Sequence, residues 1–313
     1  MSAQPSHLLI HPGILKGRIS APPSKSISHR LLIMGALSGE NCTINNILMS
    51  EDIEITLNAL AGMGFQWILN KNQVNFTGNR IVPEKEVRIF LGNSGTTARL
   101  LAAIAAAIPG KYHFSGTKRL QERPMQPLLK ALENLGADIR HNRGFLPLQV
   151  SGKQLNGGKI EIDASVSSQF ISGLMMMAPL MQRGLEILPI NSAVSVPYIK
   201  LTINLMKQAG ITVQEQDPLI IIPGQQKFEL GKCRVEGDYS SASYFAVGAA
   251  ISGGDVLIEN LNRHSVQGDR KILSILAEAG ADISWQNSAV RISARRLNGI
   301  DTDMKDVPDI VPS

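Results

Sequence analysis

Leu129-Lys130-Ala131-Leu132-Glu133-Asn134-Leu135-Gly136-Ala137 places apolar residues at helical spacing, stops at a glycine, and leads into the alternating run Leu146 to Val150. This helix–turn–strand unit occurs four times. Its other copies are Leu57 to Phe65, Ile203 to Ile211 and Leu273 to Ala281, followed by the second strands Val74 to Phe76, Leu219 to Ile222 and Val290 to Ile292. The closing glycines Gly64, Gly136, Gly210 and Gly280 are 72, 74 and 70 residues apart. A second series, Gly39, Gly110, Gly184 and Gly253, keeps the same stride, with steps of 71, 74 and 69. So regular a period is the mark of an internally duplicated α/β fold.

Each glycine of the second series closes an apolar helix, and each of those helices is opened by a loop of small polar residues. The loops are Ser24-Lys25-Ser26-Ile27-Ser28, Gly92 to Thr97, Ser165 to Gln169 and Gly237 to Ser241. Every repeat therefore reads strand, polar loop, helix, strand, helix, strand, strand. The first helix is apolar almost all round (Leu100 to Ile108; Ile171 to Met181) and is expected inside; the second is amphipathic and is expected outside. Met175-Met176-Met177 is read as core filling. Packing the first helices together would gather their polar loops at one end, where several helix N-termini could share an anionic ligand.

The best-marked loop is Pro22-Pro23-Ser24-Lys25-Ser26-Ile27-Ser28-His29-Arg30. The prolines bring the chain in extended, the serines suit an N-cap, and Gly39 supplies the stop after the apolar run from Leu31 to Leu37. Hydroxyls, free N–H groups, Lys25 and Arg30 together make an anion site.

Composition narrows the partners. A chain of 313 residues, 43% hydrophobic and 18% charged, can bury a substantial core and has room for two domains. The formal charge of +5 suits small anionic substrates and nucleic acid equally. Only 4% of residues are aromatic and no run of five basic residues occurs, so nucleic acid is not the expected partner. Cys42 and Cys233 stand alone and read as buried free thiols, and no His/Cys/carboxylate cluster has metal-ligand spacing. No signal or transit peptide and no membrane-length apolar run is read, so the expected location is the cytoplasm.

Seven motifs then carry a resemblance. Pro23-Ser24-Lys25-Ser26-Ile27-Ser28-His29-Arg30, Leu91 to Arg99, Glu122-Arg123-Pro124-Met125, Val166 to Phe170, Ser195-Val196-Pro197-Tyr198, Val235 to Tyr244 and Pro308-Asp309 resemble, in order, the motif series of the 5-enolpyruvylshikimate-3-phosphate (EPSP) synthases, which are enolpyruvyl transferases. The resemblance implies an inside-out α/β barrel of ~70-residue βαβαββ repeats, three per domain. It implies transfer of the enolpyruvyl group of phosphoenolpyruvate to the 5-hydroxyl of shikimate 3-phosphate, with loss of phosphate and no metal or organic cofactor.

Position by position, the resemblance implies these roles. Lys25 touches both substrates and takes part in proton transfer. Ser26 and Arg30 bind the shikimate side, Arg30 as a carboxylate fork. Ser167, Ser168 and Ser195 cradle the shikimate phosphate beside Tyr198, with Gln169 against the ring and phosphoenolpyruvate. Gly95 and Arg123 bind phosphoenolpyruvate, and Asp309 is the base for the 5-hydroxyl and a shikimate 3-phosphate contact. Two other readings stay open. One is the related transferase acting on UDP-N-acetylglucosamine, although that family expects Lys-Asn where this chain has Lys25-Ser26 and a cysteine near Arg123. The other is a non-catalytic polyanion-binding protein.

Six such repeats would need roughly 420 residues, and four are counted here. The expected division is a complete three-repeat domain over residues 24–233 and a partial second domain from 1–23 plus 234–313. The family's later glutamate, two lysines and two arginines find no counterpart. The chain alone is therefore expected not to turn over and to self-associate, while a full-length form is expected to be a monomer.

Overall fold

The computed structural model describes residues 11–191 and 194–313. The reading of the leading segment falls partly on residues 1–10, outside that range. The chain opens with β1 (Lys16–Ser20), α1 (Lys25–Leu37), β2 (Asn41–Asn45), α2 (Glu51–Gly62), β3 (Phe65–Asn70) and β4 (Gln73–Arg80). The second repeat is β5 (Val87–Phe90), α3 (Gly95–Ala107), β6 (Gly110–Ser115), α4 (Lys118–Gln121), α5 (Gln126–Asn134), β7 (Asp138–Asn142) and β8 (Phe145–Gly152). The third is β9 (Gly158–Asp163), α6 (Ser168–Met177), β10 (Leu185–Ile190), α7 (Val196–Gln208), β11 (Gln214–Gln216) and β12 (Leu219–Ile222). The fourth is β13 (Lys232–Arg234), α8 (Tyr239–Ile251), β14 (Asp255–Glu259), α9 (Lys271–Glu278), β15 (Asp282–Gln286) and β16 (Ala289–Ser293).

The strands form four four-stranded mixed sheets, each a parallel pair extended by an antiparallel hairpin. The second and third repeats build their sheets from their own strands, β5-β6-β8-β7 and β9-β10-β12-β11. The first and fourth exchange theirs, so that β1 joins the sheet of the fourth repeat and β13 that of the first. β1 runs parallel to β14, with Lys16 opposite Asp255 and Ser20 opposite Glu259. β13 runs parallel to β2, with Lys232 opposite Thr43.

The two connecting segments cross as an antiparallel bridge at Pro23 and Gly237. The Ser24 N–H donates to the Glu236 carbonyl and the Asp238 N–H to the Pro22 carbonyl, both at 2.8 Å. Proline has no N–H to lose at such a crossing. Gly237 is required there, because a Cβ would lie 2.2 Å from the Asn260 carbonyl oxygen.

Two apolar clusters result. One gathers side chains from Ile27 to Val235; the other joins Ala21 to side chains between Tyr239 and Ile310. In the first, α1 is buried without a break from Ile27 to Ala36, and α3 and α6 are buried almost all round. Each fully buried Leu or Ile stabilises the fold by about 1.5–3 kcal/mol. Met175, Met176 and Met177 lie wholly in the core, as read. α3 and α6 approach closely at Gly173, where a Cβ would sit 3.1 Å from the Arg99 carbonyl oxygen.

The second helix of the third repeat, α7, packs one face on α6 and α1 and leaves Lys200, Lys207 and Gln208 exposed on the other, as expected of an outer amphipathic helix. Its Thr202 is fully buried, because it supplies an acceptor that a buried guanidinium needs. The thiol reading also needs correction. Cys42 is buried but Cys233 is only half-buried, and the two stand on the adjacent strands β2 and β13. Among the described residues no helix is long and apolar enough to cross a membrane, and no group of His, Cys, Asp or Glu could hold a metal ion.

Candidate functional site

The polar loops do gather. Ser24 is the N-cap of α1, as its sequence suggests, yet its hydroxyl makes no cap bond and is buried without a partner. Instead Ser28 Oγ donates to the Ser24 carbonyl at 2.7 Å. Lys25 is exposed at the head of α1 and pairs with Asp52 at 3.4 Å. Ser24 and Ser26 line a narrow cleft of about 10 Å³ with Tyr198, Asp238, Ser240 and Asp269, roughly room for one water.

Arg30 is only 1% exposed. Its Nε donates to Thr202 Oγ1 at 2.7 Å, one Nη to the Ser26 carbonyl at 2.9 Å and the other to Ser172 Oγ at 3.1 Å. Burial lowers its pKa to about 10, against a smaller raising effect of Tyr198, and it stays charged. Two of its five N–H groups remain for a ligand, so it is a buried brace as much as a fork. The Tyr198 ring lies beneath its guanidinium, 5.9 Å to the centroid.

Tyr198 crosses from the first cluster to the second. Its hydroxyl donates to Asp309, which sits exposed on the 3₁₀ turn Pro308–Ile310. Burial raises the Tyr198 pKa, with the charges of Asp269, Asp309 and Asp238 and the Asp309 bond adding to it, so the ring keeps its proton. Asp269 is 6% exposed and accepts from the Ser240 hydroxyl. Burial, helped by the charges of Asp309 and Asp238, pushes its carboxyl up to about 6, against the lowering effect of its hydrogen bonds.

Ser167 caps α6 and accepts from the Gln169 N–H at 3.3 Å; Ser168 opens the helix, buried. Ser195, which begins α7, holds φ 55° and ψ 45°, a left-handed conformation costing a non-glycine residue about 1–2 kcal/mol. The Val194 N–H reaches the Ala164 carbonyl at 3.1 Å, which brings the Ser195 loop beside the Ser167 loop.

On the other flank, Gly95 opens α3 against Arg123: a Cβ at Gly95 would lie 2.7 Å from the Arg123 guanidinium. Burial lowers the pKa of Arg99, and the charge of Arg123 lowers it further. Two cations sharing one place at a helix N-terminus make an anion site. Gln169 joins the flanks, accepting from Arg99 at 2.8 Å and donating to Thr96 Oγ1 at 3.1 Å.

A buried chain of hydroxyls ties the two loops together. Thr56 Oγ1 lies 2.9 Å from His29 Nδ1 and 2.7 Å from Thr97 Oγ1, which is 2.6 Å from Ser94 Oγ, the cap of α3. Thr56 gives its single hydrogen to the Asp52 carbonyl at 3.0 Å, so His29 Nδ1–H and Thr97 both donate to it. His29 Nε2 is then a buried acceptor with no partner. Burial, with the charges of Lys25 and Arg30, lowers the His29 pKa to about 3, which keeps the ring neutral.

Two groups thus form from the eleven residues singled out in the sequence. Ser26, Arg30, Tyr198 and Asp309 connect through α1 and α7; Gly95, Arg123 and Gln169 connect through α3 and α6. Lys25 is turned to Asp52. Sequence reasoning missed Arg99, Asp269 and the His29 chain. Arg99 and His29 lie within the motifs Leu91 to Arg99 and Pro23 to Arg30, whereas Asp269 follows Gln267-Gly268 and carries no motif.

The family model described as EPSP synthase (3-phosphoshikimate 1-carboxyvinyltransferase) matches residues 10–313. A 3-phosphoshikimate 1-carboxyvinyltransferase from Shewanella amazonensis is 41% identical over 303 residues, covering 94% of this chain and 71% of its own. One from Syntrophobacter fumaroxidans is 40% identical over 305 residues, covering 96% and 72%. A solved EPSP synthase from Acinetobacter baumannii superposes with a TM-score of 0.82 at 28% identity, covering 96% of this chain and 71% of that one. This chain belongs to the EPSP synthase family.

Proposed function

We propose that this chain acts in the family reaction, transfer of the enolpyruvyl group of phosphoenolpyruvate to the 5-hydroxyl of shikimate 3-phosphate. The 5-oxygen bonds to C2 of phosphoenolpyruvate while the hydroxyl proton goes to a base and the methylene carbon gains a proton. Loss of phosphate and of a methyl proton then gives the enol ether. The observation that carries the reading is the pairing of two anion-binding flanks through Gln169: Arg99 and Arg123 at Gly95, and the serine loops at Ser167 and Ser195. Two anionic substrates held side by side are what an addition–elimination between them requires.

Within that reading, Arg99, Arg123 and the α3 N-terminus hold phosphoenolpyruvate. Ser167, Ser168 and Ser195 hold the shikimate phosphate, and Ser26 and the two free N–H groups of Arg30 its ring and carboxylate side. Asp309, exposed and in contact with Tyr198, is the base for the 5-hydroxyl; Lys25 leaves Asp52 to reach the substrates. The two apolar clusters correspond to two domains meeting at the crossing of residues 21–24 and 235–238. The test is phosphorus NMR of the chain titrated with shikimate 3-phosphate and phosphoenolpyruvate together. Saturable shifts of both phosphate signals, each lost when its own flank is altered, support the reading. Shifts of neither signal at stoichiometric protein contradict it.

A further inference from the structure

A groove of about 590 Å³ adjoins the Tyr198 cleft; Pro197, Gln267 and Gly268 line both cavities. Pro197 and Gly268 pack tightly, for a Cβ on Gly268 would lie 2.4 Å from Pro197 Cβ. The groove is lined by four cations, Lys200 of α7 and Arg263, Arg270 and Lys271 of the second cluster, and no carboxylate lines it among the described residues. None of the four is in an ion pair among those residues. Two are steadied by main-chain carbonyls: Arg270 donates to Arg263, and Lys271 Nζ to Asp303 at 2.6 Å. Trp285 and Leu273 complete an apolar wall.

Four like charges converging on one concavity repel one another unless an anion lies between them, and a groove focuses their field. Its volume is that of a small-molecule site rather than a track for a polymer. One phosphate cannot balance four cations, while two or three linked phosphates can, and the wall of Trp285 and Leu273 suits an attached ring. We propose that this groove is a second binding site, separate from the reaction site, for a small di- or triphosphate such as a nucleoside di- or triphosphate. A ligand there touches α7 and the α9 region at once, and so bridges the two clusters beside the site.

Calorimetry with pyrophosphate and with ATP, in about 150 mM salt to screen scattered surface charge, tests the proposal. The expected result is one site per chain, weakened tenfold or more in Arg263→Ser/Arg270→Ser and several-fold in Lys200→Ser. A charge-matched control at distant exposed positions, Lys85→Ser/Lys227→Ser, should bind as the parent does. No binding, equal weakening in the control, displacement of pyrophosphate by shikimate 3-phosphate, or preference for an oligonucleotide would each overturn it. All variants are at exposed side chains, and an unchanged thermal transition confirms that they fold.

Discussion

The Tyr198 hydroxyl donates to the Asp309 carboxylate, joining a helix of the first cluster to the last turn of the second across 111 residues of sequence. Tyr198 is held protonated by burial and by the carboxylates around it, so it remains the donor at any ordinary pH. Tyr198→Phe should therefore cost stability at neutral pH, by about 1 kcal/mol, the low end for a bond to a charged but exposed partner. Urea unfolding checks this; an unchanged midpoint would mean the bond contributes nothing.

Two buried groups set opposing pH dependences. Folded Asp269 binds its proton more tightly than the unfolded chain, with a pKa of about 6 against 3.8. The stability it gives is complete below pH 3.8 and is lost as pH rises through about 6. Folded His29 binds its proton less tightly, about 3 against 6.5, so its contribution is complete above pH 6.5 and is lost as pH falls toward 3. Asp269→Asn should keep the Ser240 hydroxyl as a partner and remove the first effect. Relative to the parent, it should gain on the order of 2–3 kcal/mol between pH about 4 and about 7.5. Denaturation midpoints at the two pH values decide it, and a constant difference would contradict the buried, proton-holding carboxyl.

Much of this was legible because local chemistry repeats. Pro22-Pro23-Ser24 announced the start of α1, and the glycine stride announced four copies of one α/β unit. The strand exchange is not written in the strands themselves; the expected grouping of residues 1–23 with 234–313 rests on the resemblance. β1 and β13 are short segments that precede similar loops, and nothing within Lys16–Ser20 or Lys232–Arg234 names the sheet it will join. The crossing decides that, and it is a tertiary fact. The same holds for Arg30, whose acceptors Ser172 and Thr202 lie 142 and 172 residues away. Asp269 owes its raised pKa to burial and to Asp309 and Asp238, none of which its neighbours in sequence reveal.

The hydroxyl chain gives a third expectation. Thr97 is fully buried and bonded to Thr56 at 2.7 Å and Ser94 at 2.6 Å. Thr97→Val keeps the shape and leaves both partners short of a bond, at a cost of about 1–3 kcal/mol. Thr97→Ser should restore most of it. Urea midpoints of the pair check this, with an unchanged slope showing that the unfolded state is not the cause. Equal midpoints for Val and Ser would remove the chain's structural role.

Gly95→Ala probes the phosphoenolpyruvate flank. The added Cβ would meet the far end of the Arg123 side chain at 2.7 Å, and a flexible end can move aside without unfolding α3. Apparent affinity for phosphoenolpyruvate should fall tenfold or more, about 1.4 kcal/mol, while shikimate 3-phosphate binds as before. Calorimetry with each substrate alone separates the two. A fall confined to shikimate 3-phosphate would place Gly95 and Arg123 on the wrong flank.

The proposed seat for shikimate 3-phosphate is built of the serine loops, Arg30 and Tyr198. Titration calorimetry of the chain with shikimate 3-phosphate, and separately with UDP-N-acetylglucosamine, measures this directly. The predicted result is saturable heat at one shikimate 3-phosphate per chain, abolished in Arg30→Lys, and none with the nucleotide sugar. Heat with UDP-N-acetylglucosamine and none with shikimate 3-phosphate would contradict the account.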